Sequence, residues 1–211
     1  MSATKNKYIS KLVHDLKPSG IRRFFDLAAG MEGVISLGVG EPDFVTPWSI
    51  REAAIESLEE GYTSYTPNAG LLELRVEIAD YLKTRFNVEY SPAEIIVTVG
   101  ASSAIDAAMR TILNPGDEVI VVEPCFVSYS PMVTLAGGVP VPVQALKEND
   151  FKILPSQLEA AITDKTKAIM LCSPNNPTGT MLNKQELEAI AEIAIRHDLL
   201  VLADEIYAEL S

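Results

Sequence analysis

Short β-branched and apolar runs alternate with stretches of helical periodicity through most of this chain, and that alternation limits the fold more than any other feature. Ile95–Val99, Val119–Val122, Val139–Val143, Ala168–Cys172 and Leu199–Ala203 are too short for helices and mostly apolar, the first of them β-branched throughout. Between them lie helix patterns at 100–113, 126–136, 155–162 and 184–197. Strands separated by helices require crossover connections, hence an α/β fold: a three-layer sandwich with helices on both faces of a mostly parallel sheet. Pro140 and Pro142 restrict Val139–Val143 to a sheet edge. Ahead of the alternation, helix patterns cover Tyr8–Leu16, Ile21–Ala29, Pro47–Glu60 and Leu71–Phe86, with a short apolar run at Val34–Val39. Thr46 is expected to cap the third of these, Pro47 to occupy its first turn and Gly61 to end it. Ser91-Pro92-Ala93-Glu94 fits a capping box, but the strand-like run that follows argues for a turn.

Composition excludes several functions. The chain has 211 residues and a net charge of −12, which opposes sequence-independent binding of nucleic acid. No apolar stretch approaches the ~20 residues a membrane-spanning helix needs, and the N-terminus lacks the apolar core of a secretory signal. Two cysteines, Cys125 and Cys172, make no disulfide framework and read as buried free thiols of a reducing, cytoplasmic compartment. Two histidines are too few for a histidine-based metal site, and no metal is expected.

Parallel sheets bind ligands at the carboxyl ends of their strands. Three strand ends carry unusual chemistry. Gly100-Ala101-Ser102-Ser103 opens a helix with small side chains, which suits either an anion on free backbone N–H groups or a tight turn with Ser102 as N-cap. Ser173-Pro174-Asn175-Asn176-Pro177-Thr178-Gly179 is a stiff loop in which Asn176 either donates to a ligand or bonds its own backbone. Asp204-Glu205-Ile206-Tyr207 puts a carboxylate at the end of an apolar strand, where it needs a cation or a donor. Its alternative is an exposed acidic pair capping a helix. Together these ends describe a site for a phosphorylated heterocycle with a basic nitrogen.

With Gly38-Val39-Gly40-Glu41-Pro42-Asp43-Phe44 and Tyr62-Thr63-Ser64-Tyr65-Thr66-Pro67-Asn68-Ala69-Gly70, these motifs stand in an order and spacing that resembles the class I/II aminotransferases, fold-type-I pyridoxal-phosphate enzymes. The resemblance runs from about Ile21 to the last residue. It implies pyridoxal 5′-phosphate as cofactor, amino-group transfer between an L-amino acid and a 2-oxo acid, and a homodimer. By the same resemblance, residues 1–46 form an N-terminal arm and small-domain segment, and residues 47–211 form an incomplete cofactor-binding large domain. Gly40 approaches the substrate carboxylate. Tyr65 reaches the phosphate of the partner's cofactor. Gly100, Ala101 and Ser102 hold the phosphate of the chain's own. Phe126 stacks on the ring, its alternative being a core Phe. Asn176 and Tyr207 bond the phenolic oxygen, and Asp204, the catalytic residue present, pairs with the ring nitrogen.

The family's Schiff-base lysine and two of its arginines would follow Tyr207, so the chain reads as the first half of a typical member, expected to be inactive alone. Lys165 and Lys167 flank a strand start at the wrong end of the sheet, and Lys184 reads as solvated. Leu199–Ala203, apolar throughout, belongs centrally in a covered sheet, so an open edge and exposed apolar surface are expected beside it. Related chemistry on the same scaffold (a C–S lyase or a cyclopropane-forming synthase), a non-catalytic lysine-less remnant and an unrelated parallel α/β domain are the alternatives.

Overall fold

The apolar runs become two cores, one on each face of a single sheet. The computed structural model describes residues 7–16, 27, 31, 33–35 and 44–210. Their elements are α1 (Lys11–Asp15), α2 (Trp48–Glu59), α3 (Leu72–Phe86), α4 (Ala101–Ile112), β1 (Glu118–Glu123), α5 (Tyr129–Leu135), β2 (Val139–Gln144), α6 (Pro155–Ala161), β3 (Thr166–Cys172), α7 (Lys184–Arg196) and β4 (Leu200–Asp204). Single 3₁₀ turns lie at Pro92–Glu94, Lys147–Asn149 and Ala208–Leu210. The chain divides into two compact units, one of residues 1–17 and 99–211, the other of residues 18–98.

In the larger unit the strands run in the order β2-β1-β3-β4, and every pairing is parallel. Successive strand residues point to opposite faces. Val119 and Val121 of β1, with Ala168 and Met170 of β3, pack against Ile105 and Met109 of α4 and Tyr129 and Val133 of α5. The intervening Ile120, Ile169 and Leu171 pack on the other face against Leu158 of α6 and Ile190, Ile193 and Ala194 of α7. The result is the expected three-layer α/β sandwich. β2 is an edge strand, as its prolines require. Val139 and Ala145 donate to Asp117 and Glu123 on the β1 side, so the missing donors of Pro140 and Pro142 fall on the outer edge. At the opposite edge, Leu200 and Val201 are half exposed and no strand among the described residues pairs with the outer side of β4. Among the described residues this edge is open and its apolar side chains are exposed, as expected.

Several local expectations need correction. Ile95–Val99 forms no strand. A strand exists only by pairing, and backbone donors of this run go elsewhere, Ile95 N–H to Pro92 O and Val97 N–H to Ala69 O, where Gly70 lets the chains touch: a Cβ there would lie 2.8 Å from Val97 Cβ. Ser91–Glu94, by contrast, is a turn as expected, a single 3₁₀ turn in which both reciprocal bonds of the capping box are formed. Thr46 does not cap α2. Pro47 is itself the N-cap, outside the first turn, and no side chain caps this terminus. Ser102 is not an N-cap either, since Gly100 takes that place. Helices α1 and α5 are shorter than their patterns, beginning at Lys11 and Tyr129. The helix proposed at Ile21–Ala29 and the run Val34–Val39 lie largely outside the described residues.

Gly138, in the α5–β2 turn, gives a direct test of the packing. An added Cβ would meet Leu113 Cδ1 at 2.8 Å, Val133 Cγ1 at 3.1 Å and Asp117 O at 3.2 Å. Gly138→Ala is expected to destabilise the chain by ~1–3 kcal/mol through overpacking, read as a lower urea midpoint at unchanged slope.

Candidate functional site

The strand ends converge. A cleft of about 240 Å³ is lined by Gly100, Ala101 and Ser102 at the start of α4, Phe126 after β1, Cys172 and Asn176 at and after β3, Asp204 at the end of β4, and Tyr207 beyond it. All the sequence-predicted residues of the larger unit thus share one concavity at the carboxyl ends of the strands. Parallel pairing aligns two of these ends, with Cys172 opposite Asp204.

Each residue is there for a local reason. Gly100 has φ 80° and ψ 164°, a region practically closed to side-chain-bearing residues. Its carbonyl accepts from Ser103 and Ala104 N–H, so Ala101 and Ser102 precede the first hydrogen bonds of the helix. No side chain caps this terminus, and no acidic residue stands in its first turn. A Cβ on Gly100 would meet nothing within 4 Å. The positive end of a twelve-residue helix is therefore open to an anion.

The Ser173–Gly179 loop is locked by Asn175, not Asn176. Asn175 Nδ2 donates to Pro124 O at 2.9 Å and to Thr178 Oγ1 at 3.0 Å, and its backbone bonds Thr180 and Gly179. The first of these ties the loop after β3 to the loop after β1. The Ser173–Pro174 and Asn176–Pro177 peptide bonds are cis. With its neighbour carrying the loop, Asn176 lines the cleft.

Asp204 has the donor its position demands. Tyr129 Oη donates to Asp204 Oδ2 at 2.6 Å, and Ile206 N–H donates to Asp204 Oδ1 at 3.1 Å. Tyr129 is 1% exposed, with its ring in the core beneath the cleft. Burial raises its phenol well above the ordinary tyrosine range, and donation to Asp204 adds to the effect. The sequence calls for a cation or a donor at Asp204, and the donor is Tyr129, which the motifs did not identify. The signal was a tyrosine inside the apolar helix pattern 126–136, because a buried hydroxyl requires a partner. Phe126 meets the Tyr129 ring edge to face, with centroids 5.6 Å apart and planes at 75°. It packs on the core and lines the cleft, so both of its readings hold geometrically.

Two predicted residues stand elsewhere. Tyr65 belongs to the smaller unit and is fully exposed. Gly40 lies outside the described residues. Among the described residues no lysine lines the cleft. Lys167 pairs with Asp117 at 3.0 Å near the starts of β3 and β1, and Lys184, the first residue of α7, is solvated beside Glu188.

Both cysteines are free and partly buried, less enclosed than their sequence context suggested. Burial, reinforced by the Glu123 carboxylate, pushes the Cys125 thiol up to about 11. Only the thiolate is alkylated. At pH 8 Cys125 is therefore expected to react with iodoacetamide about two orders of magnitude more slowly than an unperturbed cysteine, and to accelerate as pH rises toward 11. Mass-resolved peptide labelling over time checks this.

Known proteins share this architecture. Residues 32–211 match the family model for aminotransferase class I and II. The protein YugH of Bacillus subtilis is 63% identical over 205 residues, covering 97% of this chain and 53% of its own length. Aromatic-amino-acid aminotransferase 2 of Thermococcus litoralis is 46% identical over 200 residues, 94% of this chain and 51% of its own. A solved double mutant of Thermus thermophilus aspartate aminotransferase superposes with a TM-score of 0.90 at 44% identity, over 94% of this chain and 53% of that one. The chain spans about half the length of the relatives it matches. It belongs to the class I and II aminotransferases, the fold-type-I family whose members use pyridoxal phosphate.

Proposed function

We propose that the cleft holds pyridoxal 5′-phosphate and that the protein transfers an amino group between an L-amino acid and a 2-oxo acid. The observation that carries this reading is the pairing of opposite electrostatic demands within one cleft. An uncapped helix N-terminus favours an anion, and a carboxylate held by two donors favours a cation. A phosphorylated pyridine satisfies both, so the residues present fit the group.

In this reading the N–H groups at Gly100, Ala101 and Ser102 receive the phosphate. Phe126 covers one face of the ring, and Asn176 and Tyr207 bond its phenolic oxygen. Asp204 holds a proton on the ring nitrogen by direct charge attraction. When bound, the cofactor supplies an aldehyde that takes up the amino group and a ring that accepts the electron pair freed at the substrate Cα. Asp204 keeps that ring cationic, and the buried base of the cleft excludes water from around the pair. No lysine lines the cleft among the described residues, so the 211-residue chain by itself is inferred to bind the cofactor without turnover. Gly40 approaching the substrate carboxylate and Tyr65 reaching a partner's cofactor in a homodimer belong to the same proposal, and the full exposure of Tyr65 supports its role. Residues 1–46 then form an arm and small-domain segment, and residues 47–211 the first part of the cofactor domain. Relatives of similar identity are named for aspartate and for aromatic amino acids, so the proposal goes no further than the L-amino-acid class.

Pyridoxine 5′-phosphate tests the cradle directly, because it lacks the aldehyde and forms no imine with surface lysines. Isothermal titration of the chain should show one site. Asp204→Asn should weaken it at least about tenfold, the loss expected when one charge of a partly buried pair becomes neutral. Removing the phosphate from the ligand should weaken it further. Absence of binding, or equal affinity in Asp204→Asn, would overturn the reading.

A further inference from the structure

A carboxylate that must meet one atom of a planar ligand needs more than charge, since its two oxygens have to be held in a fixed plane. Asp204 is the last residue of β4, the outermost strand of the described sheet, whose residues range from exposed to intermediate. The strand alone does not immobilise its side chain. The immobilising contact arrives from 75 residues earlier, through Tyr129. That ring is wedged among Val119, Val121, Val133 and Met170 and braced by Phe126, and its hydroxyl meets Oδ2 at 2.6 Å.

We propose, resting on the cofactor reading above, that Tyr129 is a positioning residue: its core-anchored hydroxyl fixes the Asp204 carboxylate in the plane that engages the ring nitrogen of the bound pyridine.

Four features of the site support this role over simple core filling. Asp204 has both oxygens engaged, Oδ2 by a side chain from α5 and Oδ1 by its own turn at Ile206, and two contacts on two oxygens define a plane where one would leave a hinge. The Tyr129 phenol keeps its proton, because burial and donation to a carboxylate both oppose its ionisation, so it stays a neutral donor and never a second anion beside the first. The other polar or titratable side chains lining the cleft are Ser102, Cys172, Asn176 and Tyr207, with Glu205 beside Asp204 in the adjoining hollow. No cation stands among them. Tyr129 also joins the two residues proposed to address the ring, Phe126 by its edge and Asp204 by its hydroxyl.

The test measures preference between two ligands. One is pyridoxine 5′-phosphate. The other is its benzene analogue, in which C–H replaces the ring nitrogen while the phosphate arm and phenol remain. The full 211-residue chain should prefer the pyridine. Tyr129→Phe removes one oxygen and keeps the ring in the core. It should reduce the preference by about tenfold, the scale of one charge-assisted hydrogen bond, and leave affinity for the benzene analogue unchanged. A role in folding alone would weaken both ligands alike, and that outcome overturns the proposal, as does an unchanged preference in Tyr129→Phe. Either of those leaves Asp204 as partner of the ring nitrogen. No preference in the unsubstituted chain overturns that assignment as well, so the two failures are distinct. Should Tyr129→Phe not fold, 3-fluorotyrosine incorporated at position 129 supplies a more acidic, stronger donor of nearly the same shape. It should keep or increase the preference for the pyridine, and a reduced preference overturns the proposal.

Discussion

A carboxylate at the end of an apolar strand is stable only where donors reach it, and much of this molecule is arranged to meet that need. Asp204 sits opposite Cys172 because β3 and β4 run parallel in register. Tyr129 reaches it because α5 crosses from β1 to β2 on the face where Val119, Val121 and Met170 form the core. The hydrogen bond between them therefore couples tertiary packing to site electrostatics. Sliding α5 along the sheet by one helical turn, about 5.4 Å, would leave an aspartate without its donor and a tyrosine hydroxyl without its acceptor in the core.

Rigidity in the surrounding loops has a similar origin. Irregular backbone beside a cleft loses conformational entropy when ordered and must be offset by fixed contacts. Asn175 supplies them, bonding the loop after β3 to Pro124 in the loop after β1 while closing its own turn on Thr178, Gly179 and Thr180. Two adjacent asparagines thus divide the labour: the first holds the loop, and the second is left to face the cleft. A single asparagine could not do both, because its one amide is already shared between two acceptors.

Much of this was legible from local pattern. Short apolar and β-branched runs located four paired strands, the crossovers between them and the edge position of β2, because run length, residue type and proline's missing donor can be read from single residues. Chemistry at the strand ends was legible as residue type. What escaped was relational. Ile95–Val99 has strand composition and no ladder, since pairing is supplied by another segment and not by the run itself. Ser91–Glu94, by contrast, is the turn that the following run implies, and the two reciprocal bonds of its capping box are made within that turn. Tyr129 was absorbed into a helix pattern, and nothing within a few residues of it announces a partner 75 positions away.

The fourth strand shows how composition and environment can part within one element. Leu200, Val201, Leu202 and Ala203 are apolar without alternation, the pattern of a strand covered on both faces. In the described sheet β4 is the last strand, and its residues range from exposed to intermediate. Parallel edges with free donors and acceptors and apolar side chains favour pairing with another strand. The last residue of β4, Asp204, lines the cleft, and Tyr129 Oη and Ile206 N–H hold its two oxygens there, so the chemistry at the end of this strand is fixed from another element and not by the strand's own pairing.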